Sequence, residues 1–148
     1  MTISSRGLQL IKNFEGFRSE PYLCPAGVPT IGYGTTYYPS GKKVTLRDDN
    51  ISKILASNIL KWQINRSYAK AVNRYAQIEL NQNQFDALTS FAYNLGIGAL
   101  QRSTLLRHVN QGRHKKAAKE FHRWVYANGR KLKGLVRRRK AESALYKK

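Results

Sequence analysis

The sequence predicts an α+β protein: an N-terminal helix, a small antiparallel sheet and then a mostly helical remainder. Three observations carry this. Apolar residues recur at helical spacing through the first 14 positions, the pattern breaks into short β-prone pieces from Pro21 to Lys43, and helical periodicity then returns. At 148 residues the chain can bury a sizeable core. It reads as one domain, with a β-rich lobe over about 14–45 and helices over about 1–13 and 46–148.

Ile3 to Phe14 reads as the first helix. Leu8, Ile11 and Glu15 fall on one face at i, i+3 and i+7, Leu10 and Phe14 widen the apolar stripe, and Gly16 stops it. Pro25, Gly27, Pro29, Gly32, Gly34, Pro39 and Gly41 then punctuate two or three short strands. A loop at Pro25–Val28 would pair Cys24 with Pro29, placing Thr30 one residue further along that strand. Gly32 and Gly34 would keep the second strand thin where a bulky ligand approaches. Val44 to Val72 reads as helix, with Ile51, Ile54, Leu55, Asn58, Ile59 and Trp62 on the 3.6-residue period and Asp48 and Asp49 near its start. Asn81 to Leu95 is the clearest helix. Asn81 caps it, Gln84 completes a capping box, and Phe85, Leu88, Ala92 and Leu95 form the buried stripe beside Phe91. Further helices are expected over roughly Ser103–Gln111, His114–Ala127 and Leu135–Tyr146, with Phe121 and Trp124 in the core.

Charge narrows the choice of partner. The formal net charge is +19, so a polyanion is expected: nucleic acid, acidic lipid or an acidic cell-envelope polymer. From Gln101 onward there are 16 Lys and Arg against two acids, so most of the positive field sits in the C-terminal third. Cys24 is the only cysteine, which excludes an intramolecular disulfide and fits a reducing compartment. The N-terminus has no uninterrupted apolar core of signal-peptide length, and no later run approaches about 18 apolar residues. Neither a cleaved signal nor a membrane span is expected.

Against this basic background, Glu15 stands at the end of an apolar helical face, directly ahead of an aromatic-rich hairpin. A partly buried carboxyl holds its proton more tightly and suits general-acid work. The hairpin would bring Cys24 and Thr30 beside it, while Tyr22, Tyr33, Tyr37 and Tyr38 offer faces of the kind that pack on sugar rings. One wall of a cleft is the functional reading. A solvated helix end followed by an ordinary hairpin is the plain one, and spacing does not choose between them.

Three blocks do: "LIKNFEGFRSEPYLCPAGVPTIGYGTT", "NQNQFDALTSFAYNLGIGALQRSTLLRHVN" and "FHRWVYANGRKLKGLVRRRKAESALY". Together they closely resemble the phage lysozymes (endolysins) of glycoside hydrolase family 24, in the same order over about residues 7 to 146. The resemblance implies a lysozyme-like α+β fold, with an active-site cleft between the small sheet lobe and the larger helical lobe. It also implies hydrolysis of the β-1,4 bond between N-acetylmuramic acid and N-acetylglucosamine in peptidoglycan, with no cofactor and no metal. The family pattern of Glu, eight residues, Asp or Cys, five residues and Thr falls on Glu15, Cys24 and Thr30. Glu15 would be the acid that protonates the glycosidic oxygen, and Thr30 would position water. Cys24 would be a partly ionised base or electrostatic stabiliser, at the place where inverting hydrolysis uses a second carboxylate and retaining hydrolysis a closer nucleophile.

The same resemblance places Tyr33, Tyr93, Asn94, Ser103 and Thr104 as sugar or peptide contacts, and one of Arg137, Arg138 and Arg139 as the partner that holds the Glu15 rotamer. Where the family usually carries His after "IGYG", this chain has Thr35. The implied setting is a monomer waiting in the host bacterial cytoplasm until a holin releases it to the wall. The basic segment from Gly112 to Lys140 reads as a cationic amphipathic stretch able to meet anionic lipopolysaccharide or membrane surfaces. No nucleic-acid partner is expected. A basic nucleic-acid- or membrane-binding protein without catalysis is the alternative, and it would leave the Glu15–Thr30 segment without a role.

Overall fold

The computed structural model describes residues 1–148. Eight α-helices and two two-stranded antiparallel sheets follow one another in the order α1 (Ser5–Glu15), β1 (Arg18–Leu23), β2 (Pro29–Gly32), α2 (Lys53–Gln63), α3 (Ala69–Tyr75), α4 (Gln82–Leu95), α5 (Ile97–Arg102), α6 (Thr104–Asn110), α7 (His114–Glu120), β3 (Tyr126–Ala127), β4 (Arg130–Lys131) and α8 (Lys133–Tyr146). This is the expected α+β arrangement. No helix is long and apolar enough to cross a membrane.

Local chemistry fixes the helix that carries Glu15. The Ser4 side chain caps α1 by accepting from the Gly7 amide, and the Gly16 amide closes its other end on the Lys12 carbonyl. Leu8 and Ile11 are buried as expected, whereas Phe14 lies exposed against the Arg138 guanidinium, 5.6 Å from its ring centre. The buried Asp86 of α4 takes hydrogen bonds from the Ser4 amide, the Ser4 hydroxyl and Gln82. A Cβ at Gly7 would meet Asp86 Cγ at 2.6 Å, so only glycine lets α1 lie this close to α4. Capping and close packing together set the direction in which α1 ends.

Two apolar clusters support the two halves of the molecule. The first joins Ile3, Leu8 and Ile11 of the N-terminal segment to Ile31, Tyr33, Val44 and Ile51, with Ala56, Ile59, Leu60 and Ile64 packed among them. The second gathers Val72, Phe85, Leu88, Phe91, Leu100, Leu105, Val109, Phe121 and Tyr146, with Trp124 packed against it. A continuous helical rod links them: α2 passes through a π-helical turn, Ile64–Tyr68, into α3. Phe91 is the hub of the larger cluster, edge-on to Phe121 (5.7 Å) and to Trp124 (5.4 Å). Phe91→Ala is expected to cost about 3–5 kcal/mol and to lower the melting temperature by on the order of 10 °C. Leu55→Ala is the control for a thermal melt, since Leu55 is 52% exposed and its truncation should cost less than about 0.5 kcal/mol.

The exposure of Leu55 is itself a correction. The rod starts at Lys53, capped by Ser52, so the segment from Val44 is not helix, and the expected stripe shifts. Ile59 is buried, whereas Ile54 is 78% exposed. Asp48 does not serve the helix dipole. It accepts from the Tyr38 hydroxyl and from Thr45, and bonds from Thr45 and Tyr38 hold its carboxyl at about 2. Tyr38 is pushed up to about 12 by burial and by that bond. Tyr38 therefore serves the loop rather than a sugar ring.

The N-terminal sheet has two strands, and its register differs by one residue from the expected one. Leu23 pairs with Pro29 and Tyr22 with Thr30. Cys24 lies at the turn, its amide donating to the Val28 carbonyl at 3.1 Å. Gly32 has φ +66°, and a Cβ there would come within 3.0 Å of the Ala56 Cβ, so its absent side chain serves packing on α2 rather than ligand approach. The expected helix from His114 to Ala127 is also shorter. α7 ends at Glu120, a 3-10 turn covers Phe121–Arg123, and β3 and β4 form a hairpin around Asn128 (φ 51°) and Gly129 (φ 76°), the left-handed pair that a two-residue turn requires. The basic Gly112–Lys140 segment is thus broken into several elements and is not one continuous helix.

Candidate active site

Glu15 closes α1, and its side chain keeps about a quarter of its surface exposed. Arg138 of α8, buried at 3% exposure, donates from Nη1 to Glu15 Oε2 at 3.1 Å across 123 residues of sequence. Of the three candidate arginines, Arg138 is the one that pairs with Glu15. Arg137 is exposed and lines the cleft. Arg139 is fully buried, with Nε 2.9 Å from Glu142 Oε1 and Nη2 donating to the Asn94 side chain.

Behind Glu15 lies a polar network that sequence reasoning missed. Glu142 is completely buried; it accepts from the Ser90 hydroxyl and from Arg138 Nε at 3.4 Å, and it forms an ion pair with Arg139. Burial raises the Glu142 carboxyl and lowers the Arg139 guanidinium, while their mutual attraction opposes both shifts. The signal was present as Arg138, Arg139 and Glu142 at i, i+1 and i+4. Opposite charges at helical spacing usually mean a solvated surface pair, which here is wrong.

A cleft of about 510 Å³ opens in front of Glu15, lined by Asn13, Phe14, Asn94, Leu132, Leu135 and Arg137, among others. Leu132 and Leu135 were also missed. They follow the hairpin at Asn128–Gly129, whose Asn-Gly pair was the available signal for a chain reversal there.

On the hairpin of β1 and β2, Thr30 is buried at 2% exposure, and its hydroxyl donates to the Val28 carbonyl at 2.9 Å. The Cys24 thiol is lowered from the ordinary 9.0, first by hydrogen bonds from the Val28 and Ala26 backbone and then by Thr30. The backbone of the turn is thus the main cause of the shift. Since the shift favours the thiolate, alkylation of Cys24 by iodoacetamide should reach half-maximal rate at a lower pH in the folded protein than in the urea-unfolded chain. Equal midpoints in the two states would contradict it.

The residues expected to meet substrate divide sharply. Asn94 lines the cleft with Glu15. Tyr93 donates to the Tyr33 carbonyl at 3.5 Å and stacks edge-on to Tyr68 at 5.0 Å; burial, with the Glu15 charge nearby, raises its phenol. Tyr33 is 6% exposed, packed against Phe17 and within the core beneath the sheet, which leaves no open ring face. Ser103 caps α6, accepting from the Leu106 amide and donating to the Leu100 carbonyl, so its hydroxyl is already committed. Thr104 is the half-buried first residue of that helix. Thr35, standing where a His was expected, is buried with an unpartnered hydroxyl and makes no ion pair.

Comparison with known proteins shows the family. Residues 12–142 match the sequence model of the family described as "Phage lysozyme". The endolysin of Acyrthosiphon pisum secondary endosymbiont phage 1 is 39% identical over 99% of this chain and 98% of its own length. The endolysin of Bacillus phage B103 is 40% identical over 99% of this chain but only 54% of its own length, so the chain spans about half of that relative. A crystal structure of a P22 lysozyme point mutant superposes with a TM-score of 0.91 at 34% identity, covering 100% of this chain and 99% of that one. The chain belongs to the phage lysozyme family.

Proposed function

We propose that this chain is a muramidase that hydrolyses the β-1,4 bond between N-acetylmuramic acid and N-acetylglucosamine in bacterial peptidoglycan, as the lytic enzyme of a phage or prophage. The observation that carries the reading is Glu15, held by Arg138 at the mouth of the cleft it shares with Asn94. In the mechanism, the Glu15 carboxyl delivers a proton to the glycosidic oxygen as the bond breaks. Arg138 holds the carboxyl in one rotamer. Thr30, buried with its hydroxyl donated to the Val28 carbonyl, holds the turn beside Cys24, and the ionised fraction of Cys24 stabilises positive charge at the sugar or draws a proton from the attacking water. Asn94 hydrogen-bonds the glycan. None of these steps needs a metal or a cofactor.

Turbidity loss of purified cell walls, measured with wild type beside Glu15→Gln, tests the reading. Clearing by wild type alone supports it; equal clearing by both, or none by either, overturns it. Cys24→Ser and Cys24→Asp then separate the roles of the thiol, since full activity in the serine variant removes the thiolate from the mechanism. The high positive charge steers the enzyme toward anionic wall polymer, and lipopolysaccharide is a secondary binding surface; both associations weaken with salt. The enzyme acts as a monomer, held in the host cytoplasm until a holin opens the inner membrane. Salt-sensitive DNA binding without wall lysis would instead favour a nucleic-acid module.

A further inference from the structure

We infer that Glu142 is a positioning residue for the reaction, acting through Arg138 to hold Glu15 in the orientation that donates its proton. The inference rests on Glu15 being the reacting acid. Arg138 lies between two carboxylates: Nη1 is 3.1 Å from Glu15 Oε2, and Nε is 3.4 Å from Glu142 Oε2. Its Nη2 adds contacts at 3.4 Å to the Ser90 carbonyl and to the Ser90 hydroxyl. That hydroxyl donates in turn to Glu142. Arg138 is therefore gripped from behind by α4 and by its own helix, leaving one edge of the guanidinium to face the cleft.

Glu142 is the anchor of this grip. It is completely buried, it meets no substrate-facing surface, and its other oxygen lies 2.9 Å from Arg139 Nε. An ion this deeply buried is costly unless paired, and a nonpolar residue of similar volume would often be as stable. Stability alone gives weak reason for a carboxylate here. Aim gives a stronger one. With Glu142 neutral, Arg138 loses the partner that opposes Glu15 and is free to swing toward the cleft, carrying Glu15 with it. A displacement of about 1 Å at a reacting group is enough to cost on the order of 100-fold in rate.

The experiment uses soluble uncrosslinked glycan strands, with turnover and KM measured well below the melting temperature of each variant. Glu142→Gln preserves shape and the acceptor for Ser90 while removing the charge. It is expected to lower kcat by about 10–100-fold with KM changed less than about two-fold. Because this variant also leaves Arg139 buried without a counter-charge, it should melt at a lower temperature. The paired variant Arg139→Met/Glu142→Gln removes that excess charge and retains the Arg138–Glu15 pair; because Arg139 also holds Asn94, its turnover is read against that of Arg139→Met alone. It is expected to regain melting temperature while kcat stays low. Recovery of kcat together with melting temperature would overturn the inference, because Glu142 would then serve stability alone. A Glu15→Gln control that retained turnover would overturn the assignment of the acid itself, an outcome distinct from either.

Discussion

Glu15→Gln is expected to lower wall hydrolysis by about 10²–10⁴-fold, the range that a positioned general acid supplies, and to leave the fold intact. The amide is nearly isosteric and can still accept the Arg138 Nη1 hydrogen, so the rotamer survives. What is lost is the transferable proton. The Glu15 side chain is a quarter exposed, so the charge it contributes to the pair is partly screened, and its neutralisation should cost no more than about 1 kcal/mol. Thermal melting and wall turbidity read these two quantities separately. A large fall in both would place Glu15 in the structure rather than in the chemistry.

Arg138→Leu is expected to damage both. It strips Glu142 of one of its two cations and Glu15 of its partner, and removing one member of a buried ion network typically costs about 3–5 kcal/mol. The melting temperature should fall by on the order of 10 °C. Turnover measured well below that transition should drop by on the order of 100-fold, because Glu15 loses the contact that fixes its direction. Arg137→Leu, one residue away but exposed, should melt within a few degrees of wild type. If the two variants melted alike, the buried network would not be what supports the site.

The sequence made legible whatever depends on local rules. The Asn81–Gln84 capping box is present, α1 ends at Gly16, and Phe85, Leu88 and Ala92 are buried where the period placed them, while Leu95 at the end of the stripe is only half-buried. Spacing and family resemblance pointed to Glu15, Cys24 and Thr30 and narrowed the partner of Glu15 to three arginines. They could not choose among those arginines, because the choice depends on how α8 rotates against α4. Nor could they show that Ser103 and Tyr33 are occupied by capping and by core packing, since a hydroxyl or a ring reads the same in sequence whether it faces a cleft or a neighbour. Ile54 and Leu55 misled because their apolar period began before the helix did. Glu142 stayed hidden for the opposite reason: charged residues at helical spacing look like surface, and burial of the whole group is a tertiary fact.

The most direct measurement is the chemistry of the cut ends. Purified peptidoglycan digested by the wild-type chain, reduced with borohydride and analysed by mass spectrometry, should yield fragments ending in reduced muramic acid, each carrying the mass of one added water. Fragments ending in reduced glucosamine, anhydro ends without the added water, or an undigested wall would contradict a muramidase whose acid is Glu15.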